Sequence, residues 1–145
     1  MPMTVKELAQ QAGTPAHVVR YYTRAGLLKP RRDPSNRYRL YRESDLMRLR
    51  FILRAKLLGF TLGDIGQILR DADRERSPCP RTRSLIVTRL GESEERLSTL
   101  MVLQGRMRKA VKVWRKLPDA VPNGESICRL IEAVTEDATL DRTTS

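Results

Sequence analysis

Two cysteines, one histidine and two phenylalanines among 145 residues leave little material for several protein classes. Two cysteines are too few for a disulfide framework, and a reducing compartment would keep both as thiols. A lone histidine, with no glycine-rich phosphate loop and no Ser/His/Asp or paired-carboxylate arrangement, argues against an enzyme. No apolar run is long enough to span a bilayer, and no charged-then-apolar leader opens the chain, so the expected location is cytoplasmic and away from membranes. Aromatic residues make up 5% of the chain against 40% hydrophobic residues in all, so the core must be mainly Leu, Ile and Val. The length allows one compact domain and an appendage.

Positive charge is in excess. Twenty-eight Lys and Arg stand against 17 Asp and Glu, a formal net charge of +11, which favours a polyanionic partner. The stretch from Arg20 to Arg54 holds eleven basic and three acidic residues, a net +8, and all four tyrosines fall within it. A merely solvated face would spread charge more evenly. Clustered cations with interleaved tyrosines point instead to nucleic-acid contact.

Local signals give this stretch a shape. Thr4 with Glu7 forms a capping box for a short helix whose apolar face is Val5, Leu8 and Ala9, and Gly13 ends it. Thr14 and Pro15 read as N-cap and first turn of a second helix, running through Val18, Val19 and Tyr22 to about Ala25, before Gly26. Two short helices around a glycine turn make a helix-turn-helix candidate. Extended arms on either side of Asp33-Pro34-Ser35-Asn36 then predict a β-hairpin, which after a helix-turn-helix is a wing. A third helix is expected from Ser44-Asp45 to Gly59, with Leu46, Leu49, Ile52, Leu53, Leu57 and Leu58 apolar. A fourth is capped by Thr61 and carries Leu62, Ile65, Ile68 and Leu69. Asp71 to Pro80 is polar and reads as a hinge.

Beyond the hinge, Ile86, Ser93, Leu100, Met107 and Trp114 share one heptad position, and Leu90, Leu97, Gln104 and Val111 the other. Seven of these nine sites are apolar. That is a coiled-coil seam over about four heptads. An amphipathic helix on a globular body would show the same stripe, but the chain offers no second long helix to cover it. A second copy, parallel or antiparallel, is the simplest partner. Leu117-Pro118 and Val121-Pro122-Asn123-Gly124 form a loop, followed by a short helix bearing Ile127, Leu130, Ile131 and Val134 and then a polar tail. The fold class is mainly α, with expected domains at 1–75 (winged helix-turn-helix), 80–117 (dimerisation helix) and 118–145 (loop, short helix and tail).

The runs Thr4-Val5-Lys6-Glu7-Leu8-Ala9, Val19-Arg20-Tyr21-Tyr22, Gly26-Leu27-Leu28, Tyr38-Arg39-Leu40-Tyr41 and Leu49-Arg50-Phe51-Ile52, followed by Gly59-Phe60-Thr61-Leu62, resemble the MerR family of transcription regulators. The resemblance is dense over about the first 70 residues. Thr23 departs from it, standing where the family usually has Glu. It implies a homodimer joined by an antiparallel coiled coil, an inverted-repeat promoter site on double-stranded DNA, and effector-dependent distortion of that DNA that lets RNA polymerase engage. Carried onto matching positions, His17, Arg20 and Tyr21 of the second helix face the major groove, while Tyr38, Arg39 and Tyr41 of the wing hold the backbone. Tyr22 stays open between DNA and core, and Trp114 between core and a ligand wall.

The resemblance also directs attention to the two thiols. In metal-sensing members, cysteines after the long helix and at its start bind the ion. Cys79 and Cys128 sit at comparable places, and an antiparallel dimer would bring Cys79 of one subunit near Cys128 of the other. Two thiolates suit Hg(II) or Cu(I), whereas Zn or Cd would need further ligands, for which Asp119 and Glu125 are the nearest candidates. The paired loop cysteines of copper sensors and the four-cysteine cluster of iron–sulfur sensors are missing. Thiol or oxidant sensing, and plain packing of two small residues, therefore stay open beside metal binding. A DNA binder without sequence preference is the other alternative.

Overall fold

The first helix, α1 (Val5–Ala12), opens on the expected capping box. Thr4 Oγ1 accepts from the Glu7 N–H and Glu7 Oε2 accepts from the Thr4 N–H, both at 3.3 Å. Gly13, with φ of 70°, closes it in the left-handed conformation that glycine adopts without steric cost. The second helix, α2, covers Ala16–Arg24. Its N-cap is Pro15 rather than Thr14, and no side chain caps it. The fixed φ of proline sets the direction of the chain there without help from the threonine hydroxyl. The computed structural model describes residues 1–134; the polar tail expected after them lies outside the described residues.

The wing follows. Strands β1 (Arg31–Arg32) and β2 (Arg39–Leu40) pair antiparallel, Arg31 opposite Leu40 and Arg32 opposite Arg39. At its base Met3 and Tyr41 exchange two backbone hydrogen bonds of 2.7 Å, which tie the N-terminus to the returning arm. The third helix, α3 (Glu43–Leu57), begins one residue earlier than the Ser44 start expected, because Asp45 Oδ2 accepts from the Arg42 N–H at 2.8 Å and closes the turn from the third helical position. The fourth, α4 (Leu62–Asp73), has Thr61 as its cap. The long helix α5 spans Cys79–Trp114 and the short α6 spans Arg129–Glu132, half the length of the predicted apolar span. The irregular connection between α4 and α5 is correspondingly shorter than the expected hinge.

Backbone contacts divide the chain into a unit Met1–Leu90 and a second beginning at Gly91, a division that falls within α5. The core of the first unit is Leu8, Val19, Leu28, Leu49, Ile52, Ile65 and the ring of Tyr41, all fully buried. Each such side chain contributes about 1.5–3 kcal/mol relative to exposure. Leu85 and Ile86 of α5 pack against this cluster, so Ile86 leaves the expected seam. Leu57 and Leu58, placed on the apolar face of α3 by the sequence, are exposed. Leu58 stands nine residues from Leu49, which at about 100° per residue puts it on the opposite side of the helix. Leu57 projects from the last turn.

Arg48 fastens the unit internally. Its Nε donates to the Leu27 carbonyl at 2.7 Å, and its Nη1 and Nη2 grip Asp73 at 2.8 and 3.0 Å, joining the exit of α2 to the end of α4. Arg89 of α5 grips Asp64 in the same two-point fashion at 2.8 and 3.1 Å. Arg81 holds Asp71 at 2.6 Å.

Candidate nucleic-acid interface

Helix α2 presents two unlike faces. Val19 and Tyr22 turn into the core, which settles Tyr22 as a packing residue. His17, Arg20, Tyr21 and Arg24 recur three and four residues apart on the other face and are exposed. Tyr21 leans on Tyr22 with ring centroids 5.5 Å apart, which limits where it can swing. The α2 residues predicted to meet DNA therefore share one open face.

The wing turn is built by short polar side chains. Asp33 Oδ1 accepts from the Ser35 N–H at 2.9 Å and from its hydroxyl at 2.6 Å, contacts that hold the Asp33 carboxyl below its usual range. Asn36 Oδ1 accepts from the Tyr38 N–H at 3.0 Å. Arg37 takes a φ of 61°, and its N–H reaches the Asp33 carbonyl at 2.8 Å. A left-handed non-glycine residue costs on the order of 1 kcal/mol, so the surrounding hydrogen bonds over-determine the turn. The result lifts Tyr38 into solvent at 69% exposure.

Between the start of α1, the exposed face of α2 and the wing lies a concavity lined by Lys6, Arg20, Arg32, Arg37, Tyr38 and Arg39. It brings together Arg20, Tyr38 and Arg39, three of the predicted contacts. Five cations line it and no acid does. The ion pairs of the described residues lie elsewhere, on Arg48, Arg81 and Arg89, and none of these five cations has a carboxylate partner. Five unpaired cations around one hollow have a strong claim on phosphates, and an aromatic ring at its rim adds a flat contact surface. Lys6 belongs to this group although nothing in the sequence singles it out. Packing of α1 on α2 carries it there across fourteen residues of chain to Arg20.

Tyr41 is a correction. Its side chain is fully buried, and its hydroxyl lies 2.8 Å from Thr23 Oγ1, so no surface is left to touch DNA. It positions the wing rather than contacting a partner.

The two cysteines are both free thiols. Cys79, the first residue of α5, is exposed, and its N–H donates to Ser77 Oγ at 3.4 Å. Cys128 is half-buried before α6, its N–H bound to Glu132 Oε1 at 2.9 Å. Glu132 also accepts from Ser126 Oγ at 2.7 Å and the Ile127 N–H at 2.6 Å, and these donors hold its carboxyl below the usual range. That carboxylate is thus committed to ordering the loop. Asp119 and Glu125 are not gathered with Cys128, for among the described residues no three His, Cys, Asp or Glu cluster as a metal site.

A family description reading "MerR HTH family regulatory protein" matches residues 3–72, and one reading "MerR, DNA binding" matches residues 46–110. The transcriptional regulator ZntR of Escherichia coli K12 is 30% identical over 138 residues, covering 92% of this chain and 93% of its own. The mercuric resistance operon regulatory protein of Bacillus cereus is 26% identical over 136 residues, covering 92% and 98%. A transcription regulator from Ralstonia metallidurans, solved in complex with lead(II), superposes with a TM-score of 0.71 at 24% identity over 91% of this chain and 99% of that one. It shares the fold. No described helix is long and apolar enough to cross a membrane.

Proposed function

Since this chain belongs to the MerR family of transcription regulators, we propose that it acts as a homodimer on an inverted-repeat promoter site and switches transcription there by distorting the DNA when an effector binds. One observation carries the DNA-binding part: Lys6, Arg20, Arg32, Arg37 and Arg39 converge, unpaired, on one hollow beside the open face of α2. In this reading α2 enters the major groove with His17, Arg20 and Tyr21 toward the bases. The wing cations and Tyr38 hold the flanking phosphates. The bending cost is offset by those backbone contacts, and RNA polymerase engages the reshaped promoter.

Dimerisation is supported by α5. Leu90, Leu97, Leu100, Met107 and Val111 are all about half or more exposed, and no α5 residue is buried among the described residues. Such a stripe on a 36-residue helix is stable when a second copy covers it.

For the effector we assign a soft metal ion held by Cys79 and Cys128, shared across the dimer. The donor set fits a two-coordinate thiophilic ion such as Hg(II) or Cu(I) better than Zn or Cd, since among the described residues neither thiol has two further ligands beside it. A relative named as a mercuric resistance operon regulatory protein supports the class. The promoter reading is tested by gel-shift titration of an inverted-repeat promoter and a scrambled duplex at several salt concentrations. A regulator prefers the repeat by about 10³-fold or more. Equal affinity for both duplexes, with the same salt slope, would mark a DNA binder without sequence preference and end this reading.

A further inference from the structure

We propose that the C-terminal unit holds a pocket for a small aromatic carboxylate, separate from both the DNA interface and the two thiols. The second half of α5 has one half-buried stripe, Val102, Arg106, Ala110 and Trp114, spaced four residues apart. A cavity of about 510 Å³ opens on it, with Ile131 and Val134 across from the helix and Val113 and Trp114 on the helix side. That volume is in the range of small-molecule sites.

The stripe contains an anomaly. Arg106 lines the cavity, and its Nε and Nη2 are both shut off from solvent without a hydrogen-bond partner among the described residues. A guanidinium withdrawn from water with unmet donors is unfavourable. Its geometry matches a carboxylate, which can accept two parallel N–H bonds. Lys112 also lines the cavity, and among the described residues no acidic one does, so the local field favours an anion. The remaining walls are apolar, which selects an anion with a hydrophobic body over a hydrated inorganic one. Trp114 offers a flat face to an aromatic ring.

Trp114 is also the one tryptophan of the sequence, which makes the pocket directly observable. The test is titration of the full-length protein with sodium benzoate, read by tryptophan fluorescence excited at 295 nm and by calorimetry. Sulfate and benzyl alcohol serve as the charge-only and ring-only probes. The expected result is saturable benzoate binding that Arg106→Met weakens about tenfold or more, the loss of a charge-assisted bidentate contact. Ala110→Leu, which fills the cavity and keeps the arginine, should weaken it comparably. Helical signal and dimer mass are checked for both variants.

Absence of saturable benzoate binding overturns the proposal. So does equal binding of sulfate, which means an anion site only, or of benzyl alcohol, which means an apolar cleft only. If Arg106→Met disrupts the dimer while wild type ignores benzoate, the arginine serves a carboxylate of a second copy, and the ligand reading falls. These readouts measure binding, not transcription, so their failure leaves the promoter reading standing.

Discussion

The Tyr41 hydroxyl donates to Thr23 Oγ1 across 2.8 Å, because the Thr23 proton is already committed to the Val19 carbonyl at 2.8 Å. The arm that returns from the wing is thereby bonded to the last turn of α2. Two elements that the proposed reading sets against DNA in a fixed relation are joined by one buried phenol. The two partners of this bond are not equivalent. Thr23→Val leaves the Tyr41 hydroxyl buried without an acceptor and should cost about 1–3 kcal/mol. Tyr41→Phe removes the donor and leaves Thr23 bonded to Val19, at about 0.5–1.5 kcal/mol. The double variant should be more stable than Thr23→Val alone. Urea denaturation of the three variants checks the order, and equal losses for both single changes would contradict it.

The interface cations should divide by role. Arg32→Ala is expected to weaken binding to an inverted repeat and to a scrambled duplex alike, and to lower the salt slope by about 1. Arg20→Ala, on the face of α2, should also narrow the gap between the two duplexes by about 1–3 kcal/mol. Filter binding across a salt series separates the two effects. Identical behaviour of the two variants would remove α2 from base recognition.

Acid should loosen the joint between α4 and α5. The Arg89 guanidinium, followed by hydrogen bonds from Thr61, holds the Asp64 carboxyl below its ordinary value of 3.8. A depressed folded pKa means that this stabilisation is fully present above about pH 3.8 and is lost as pH falls through the lower folded value. Asp64→Asn should lower the urea midpoint at pH 7 and flatten its dependence on pH below 4. An unchanged acid limb would show that the pair contributes nothing.

The metal proposal makes a separate demand. Under anaerobic, reducing conditions, wild type should bind about one Hg(II) or Cu(I) per thiol pair, and Cys128→Ser should abolish it. Equilibrium dialysis with metal analysis reads this directly. Unchanged affinity in the variant sinks the assignment and moves the signal toward oxidants or organic molecules.

Leu97→Lys, in the middle of the exposed stripe of α5, should convert the dimer to monomer in sedimentation equilibrium. The DNA-binding unit should retain its fold, since its core lies elsewhere. A variant that stays dimeric would place the contact on another face.

Much of this was legible in the residues because it is local. Thr4 with Glu7, Thr61 before Leu62, and glycines at 13, 26 and 59 announce helix ends through short-range hydrogen bonding and positive φ. The alternation that betrays Tyr41 was also present. Tyr38 and Tyr41 are three residues apart on an extended arm, which sends them to opposite faces, so only one could remain at the surface. Non-local events were not legible. Lys6 reaches the cationic hollow only through packing of α1 on α2. Ile86 is drawn off the heptad seam by a core assembled from four other helices and the loops between them. The cavity beside Arg106 is completed by residues some 25 positions further along the chain.

The five unpaired cations of the hollow act on the protein even when no DNA is present. Like charges held close repel, so the bare fold carries a strain that dissolved salt relieves by screening. Binding runs the other way, because the counterions that DNA releases on binding gain less entropy when the surrounding salt is already concentrated. One set of side chains therefore gives two salt responses of opposite sign: rising salt firms the free protein while it loosens the complex.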